Sequence, residues 1–286
     1  MIRYLSDNEK KKSEALYREA FFEDKNEFVE YYYSYVTKNN KILVLEQDHK
    51  ICSMLHLNPY QLSVNGSKID AYYYVAVATR ADSRHQGMMR KLLHKSLNDI
   101  HREGHPFAYL MPADRAIYEP FDFRIVYQQE EVKLPGEPEK ANQILSKMFD
   151  VYTLRDDWYV EKMKEEARVC EGDPPSEIVP YIMMRITNVE KMLGVLRSKK
   201  PFKVILNIND PIIEGNHGKF LWEFSKGSSV CTKLMEHGHC NGDSLGDTAE
   251  IAFTIAELTE FVFGKRKIAG LEDVKVLSRI CINEAV

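Results

Sequence analysis

The stretch Arg84-His85-Gln86-Gly87-Met88-Met89-Arg90 joins an apolar, β-branched run, "VAVAT" (75–79), to an amphipathic pattern, "MMRKLLHKSL" (88–97). A strand is therefore expected to hand over to a helix through a basic turn with glycine at the helix start. The first amides of a helix have no intrahelical acceptor, and the helix dipole adds positive potential at that end. Gly87 carries no side chain to obstruct an anion, and Arg84 adds a two-pronged donor, with Arg90 and Lys91 one turn further on. Together these features suit a pyrophosphate.

The surrounding elements must position that turn. Ile2–Leu5 reads as a strand, Ser6 with Glu9 as a capping box, and Ala15, Leu16, Ala20 and Phe21 as one helix face. A second helix, "KNEFVEYYYSYVTKN", places Phe28, Tyr31, Tyr32 and Tyr35 on one face, read as a core-packing stripe. Three antiparallel strands follow, with Asn65-Gly66 as a two-residue hairpin turn. After the helix Gly87–Arg102 come a strand "FAYLMP", a short helix "RAIYEPF" and a strand "FRIVYQQEEVKL". "PGEPEKA" reads as a break, two helical segments follow it, and a new α+β pattern starts at Tyr181 with a strand "YIMMRI". It continues with a helix "TNVEKMLGVLRSK", three strands, a strand running into a helix (248–264), and a last helix "EDVKVLSRI".

Composition narrows the function. The 286 residues are 44% hydrophobic and 29% charged, with a net charge of −4, so a broad nucleic-acid surface is not expected. No apolar run reaches the ~20 residues of a membrane helix, and the N-terminus lacks a signal-peptide core, so the expectation is a cytoplasmic protein without a membrane partner. The five cysteines are scattered without a CxxC pair, which supports neither a disulfide framework nor a zinc knuckle. His237, His239 and Cys240 sit in a polar turn, and no metal is expected.

Arg84-x-x-Gly87-x-Met89 resembles the acetyl-CoA loop, Q/R-x-x-G-x-G/A, of the GCN5-related N-acetyltransferase (GNAT) family, with Met89 as a departure. The G-M-M-R variant and "HPFAYLMPADRAIYEPFDF" are similar to the Eis-type branch, whose Y-x-x-F-G-F box matches Tyr118–Phe123 with Asp122 in place of glycine. "MMRITNVEKML" and the ending "INEAV" resemble that branch's C-terminal domain, which is similar to sterol carrier protein folds. The resemblance implies an α+β chain. It would have a GNAT-type mixed sheet flanked by helices over 1–134 and a helical linker over 135–180, a remnant of a second GNAT-like domain. A sterol-carrier-like α+β domain would cover 181–286.

It also implies acetyl-CoA as cosubstrate, with His85, Gln86, Gly87, Met88, Met89 and Arg90 joining Arg84 around the phosphates. Backbone groups of Val75 and Val77, flanking Ala76, would pair with the pantetheine arm. Tyr118 would protonate the leaving thiolate, and the terminal carboxylate of Val286 would act as base. Glu284, Glu23, Asp24 and Glu27 are further candidate acids. The acceptor would be a primary amine on a small or polycationic molecule or a lysine. Rival readings are a CoA-sensing or apolar-ligand-binding module without catalysis, and a C-terminal part that scaffolds a homo-oligomer.

Overall fold

The computed structural model describes residues 1–130, 132–171, 179–225, 227–235 and 248–284. The chain begins with β1 (Ile2–Tyr4), a 3-10 turn, and helices α1 (Glu14–Ala20) and α2 (Asn26–Ser34). The antiparallel strands β2 (Lys41–Gln47), β3 (Lys50–Val64) and β4 (Ser67–Thr79) follow. Asn65 (φ 48) and Gly66 (φ 82) are both left-handed, the geometry of a type I′ hairpin that the Asn-Gly pair signals. Next come α3 (Met88–Arg102), β5 (Phe107–Leu110), α4 (Arg115–Tyr118), β6 (Arg124–Gln128), α5 (Pro138–Met148), β7 (Val151–Thr153) and α6 (Asp157–Val169). The remainder is β8 (Tyr181–Ile186), α7 (Val189–Leu193), β9 (Arg197–Ser198), β10 (Phe202–Asn209), β11 (Gly218–Ser225) and β12 (Ser228–Lys233). It ends with β13 (Glu250–Thr254), α8 (Ile255–Val262), β14 (Val274–Lys275) and β15 (Ile280–Cys281).

The large mixed sheet runs β1-β2-β3-β4-β5-β8-β6, with β7 on the far end of β3 and β15 alongside β7. Successive side chains alternate between its faces. Tyr72, Tyr74, Ala108, Leu110 and Met183 join the core under α3, whereas Tyr73, Tyr109 and Met184 join the core on the other face. Both faces are covered, so the central strands are apolar almost throughout. The tyrosine stripe of α2 packs as expected: Tyr32 is fully buried and Tyr31 stacks on Tyr35 at 5.8 Å.

Four expectations change. The strand "YIMMRI" does not open a separate unit. As β8 it lies between β5 and β6 in the first sheet, antiparallel to both. Its residues Ile182–Ile186 are all buried, and such a strand needs a neighbour on each edge. The stretch 135–180 is not purely helical, because β7 pairs with Leu62–Val64 of β3. The expected last helix is instead extended chain. Val274 is buried and Lys275 exposed, a period-two alternation, and they pair with β9, while Ile280–Cys281 pair in parallel with β7. The helix after β8 is also shorter than expected, ending at Gly194.

The second sheet runs β12-β11-β10-β13. Its inner face is filled by Leu206, Phe220, Trp222, Phe253 and Leu258, all nearly or fully buried. Thr254 and Glu257 form the capping box that starts α8. Among the described residues no helix is long and apolar enough to cross a membrane.

Candidate active site

The site begins where β4 leaves β5. The two strands pair in parallel only at Tyr72–Tyr74 with Ala108–Leu110. Beyond Tyr74, β4 keeps only β3. There Met54 faces Ala78 while His56 faces Val75, so β4 carries one extra residue. Ala76 takes the strain at φ 50, the left-handed region that costs a non-glycine residue about 1–2 kcal/mol. This bulge turns the end of β4 away and leaves the β5-side edge of Val75–Thr79 without a strand partner among the described residues.

The basic turn closes the other side. His85 (φ 61) and Gly87 (φ 72) are both left-handed, and α3 starts immediately after. Its first bond runs from the Lys91 amide to the Gly87 carbonyl (3.2 Å), so the amides of Met88, Met89 and Arg90 lie before the intrahelical ladder. A Cβ at Gly87 would meet nothing within 4 Å. The cradle in front of the helix is open, and glycine is required there by φ, not by crowding. Arg84 Nε donates to the Thr79 carbonyl (3.3 Å), and the Arg90 guanidinium lies 5.2 Å from the centre of the Phe121 ring.

Val77, Arg84, His85, Gly87, Met88, Met89 and Arg90 line one groove of about 580 Å³, closed by Ala20, Phe21, Ile117 and Phe121. Val75, paired with His56, and Ala76, in the bulge, are not among its walls. Gln86 is the exception, lining a smaller hollow of about 260 Å³ with Met1, Ile2 and Gln47. The side chain of Met88 is buried in the apolar core, so it can offer the groove little beyond its backbone.

Tyr118 ends α4, whose cap is the Asp114 carboxylate accepting from the Ala116 amide (2.9 Å). Its ring meets Phe123 edge-on at 6.1 Å, and burial pushes its hydroxyl up to about 12, so the phenol stays protonated at neutral pH. Asp122 occupies a left-handed turn at φ 64, which explains why the resembling box has glycine there. Its Oδ2 is buried without a partner, and burial raises its carboxyl above the ordinary range. Asp122→Gly is therefore expected to stabilise the fold by about 1 kcal/mol. Because the folded carboxyl holds its proton more tightly than the unfolded one, the wild type loses stability as pH rises through the folded pKa. The advantage of the variant in chemical denaturation should thus grow from acid to neutral pH; a constant difference would remove the burial argument.

On the face opposite α3, Tyr60, Tyr73 and Tyr109 converge from β3, β4 and β5, with Tyr73 stacked on Tyr109 at 5.1 Å. Glu284 is fully buried among them and accepts from the Tyr159 hydroxyl at 3.3 Å. Its Oε2 and the hydroxyls of Tyr60 and Tyr109 have no hydrogen-bond partner among the described residues. Lys162 Nζ lies 2.7 Å from Glu166 Oε2 in the same interior, and burial raises the Glu166 carboxyl. The Tyr73 hydroxyl is raised by burial, then by Glu284 and Glu166, and also by Tyr118. It therefore lies within electrostatic reach of the acids on one side and the box tyrosine on the other. His56, bonded to Tyr32 through Nδ1 (2.9 Å), is lowered to about 3 by burial and stays neutral.

Sequence alone offers Glu284 as a fallback acid and does not single out the tyrosines, the first of which, Tyr60, lies 224 residues before it. Glu23 and Glu27 are exposed, and Asp24 accepts from Tyr17 (2.8 Å), so these acids stand apart from the cluster. Val286 lies outside the described residues, as do His237, His239 and Cys240. Among the described residues no group of acids, histidines and cysteines is arranged to hold a metal.

Residues 1–126 match the family model described as an acetyltransferase (GNAT) domain, and residues 189–284 match the sterol carrier protein domain model. No curated protein matches the chain. Three solved structures share the fold over nearly the whole length. A probable N-acyltransferase from Enterococcus faecalis is 14% identical with a TM-score of 0.72, covering 96% of this chain and 93% of its own. A GCN5-related N-acetyltransferase from Anabaena variabilis is 14% identical with a TM-score of 0.65, over 96% and 94%. The Eis protein from Mycobacterium abscessus is likewise 14% identical at 0.65, over 97% and 94%. With the bulged β4, the left-handed entry to α3 and the two domain matches together, the chain carries a GNAT acetyltransferase domain followed by a sterol carrier protein domain.

Proposed function

We propose that this protein transfers an acetyl group from acetyl-CoA directly to a primary amine, on a small or polycationic molecule or a lysine side chain, within a ternary complex. The observation that carries this reading is the groove itself. An unpaired strand edge, three helix amides outside the intrahelical ladder and two arginines line one cleft, and Ile117 in its wall is the residue before Tyr118, whose buried phenol stays protonated. The fit to acetyl-CoA is good on each count. The amides of Met88–Arg90, with Arg84 and Arg90, would hold the pyrophosphate. The backbone of Val75–Val77 offers an edge to a pantetheine amide, as an added strand would. Acetyl-CoA, when bound, supplies the activated acetyl thioester. Tyr118 is assigned the proton donated to the departing thiolate. Proton removal from the amine is assigned to the acids at the end of the chain, the Glu284 side chain and the terminal carboxylate of Val286. The Glu284 side chain is fully buried, with its Oε2 unpartnered among the described residues.

Gly87→Glu is the test. It sets a carboxylate in the open cradle, and acetyl-CoA affinity by calorimetry should fall at least tenfold, about 1.4 kcal/mol. Gly87→Asn is the control, because asparagine tolerates a positive φ and is neutral. It should bind within a few-fold of wild type. A folded Gly87→Glu protein with unchanged affinity would remove the groove as the acyl-CoA site.

A further inference from the structure

A guanidinium lies fully buried between the two units. Arg185, on β8, is 0% exposed, and its three nitrogens point three ways. Nη2 meets Asp210 Oδ1 at 2.7 Å, Nη1 donates to the Ile186 carbonyl (2.9 Å), and Nε donates to the Phe121 carbonyl (2.8 Å). Asp210 is fixed in turn by the amides of Ile212 and Ile213 (both 2.9 Å) and by Asn216 Nδ2 (3.0 Å). The same loop grips the rear of α3. Asn98 donates to the Ile212 carbonyl (3.0 Å), and a Cβ on Gly215 would fall 2.1 Å from His101 Nε2.

Phe121 is the groove wall that carries Arg90, and its ring also meets His94 edge-on at 5.9 Å. A loop of the C-terminal unit thus holds, through one side chain, the carbonyl of the residue whose ring shapes the groove. We propose that Arg185, fixed by Asp210, is a positioning residue for the acyl-CoA groove, so that the C-terminal unit sets the shape of a site whose walls it does not supply. The inference rests on the groove reading above. A lysine could not replace the arginine: its single Nζ reaches one of the three acceptors, whereas the planar fork serves all three.

The test compares Arg185→Lys, which keeps the charge, with Thr259→Val. Thr259 is equally buried at the same seam, where its hydroxyl accepts from the Ile186 amide (3.3 Å), but it is not among the groove walls. Both variants should lower the melting temperature. Arg185→Lys alone should weaken CoA binding at least tenfold by calorimetry and raise KM for acetyl-CoA with the acceptor KM unchanged. It alone should also speed amide exchange over Glu119–Phe123. Equal loss of CoA affinity in both variants, or a folded Arg185→Lys protein that binds CoA like wild type, would overturn the inference. If the wild type binds no CoA, the groove reading fails on its own. The exchange comparison then still decides whether Arg185 holds the Phe121 turn, and unchanged exchange would sink it.

Discussion

Tyr118→Phe is expected to lower kcat by about 10²–10⁴-fold, the usual worth of a positioned proton donor, while acetyl-CoA affinity stays at the wild-type value. The substitution removes one oxygen and leaves the ring that packs on Phe123. Among the described residues the hydroxyl has no hydrogen-bond partner, so its loss orphans nothing in the fold. Melting temperature should hardly move. A hydroxyl needed only when the thiolate leaves contributes to the transition state and not to ground-state binding, which places the whole loss in kcat. Burial keeps this phenol protonated up to about pH 12, so an alkaline fall in rate near neutrality would have another origin. Wild-type turnover in Tyr118→Phe would reduce Tyr118 to a packing residue.

The second large effect is expected at Glu284. Glu284→Gln keeps the volume and the acceptor for the Tyr159 hydroxyl, but removes the charge from a side chain with 0% exposure. Turnover should fall by about 10²–10⁴-fold with acetyl-CoA affinity intact. Stability should hold or rise, because a buried charge with an unpartnered oxygen is costly to keep. That combination, slower and no less stable, separates a lost base from a damaged core. A Gly-Ser extension after Val286 moves the terminal carboxylate and leaves Glu284 in place. If the extension abolishes turnover and Glu284→Gln does not, the base is the terminal carboxylate; if neither variant slows the reaction, the acidic chain end has no catalytic role.

The groove was legible because its signals are local. The strand-to-helix switch, the glycine between them and the Asn65-Gly66 hairpin each occupy a few consecutive residues, where backbone geometry dictates composition. What remained hidden is long-range. An apolar run such as "YIMMRI" announces a buried strand but carries no information about which sheet it enters, and that β8 lies between β5 and β6 emerges only from the structure. "EDVKVLSRI" fits helix spacing, although Val274 and Val276 also alternate around Lys275. The cluster of Tyr60, Tyr73, Tyr109, Tyr159 and Glu284 draws on four strands or helices and the chain end. Each of these residues alone looks like an ordinary core aromatic or a solvated acid.

The placement of β8 bears on how the protein is made. β5 and β6 are separated by only 13 residues of chain, yet they meet only through a strand that begins at Tyr181. A ribosome-bound chain that ends before that point would present the facing edges of β5 and β6 as two unpaired templates for other chains. The acetyltransferase sheet is therefore not an early, self-contained product of synthesis. It closes late, on contacts of high sequence separation, and its folding waits on the strand made just before the sterol carrier match begins.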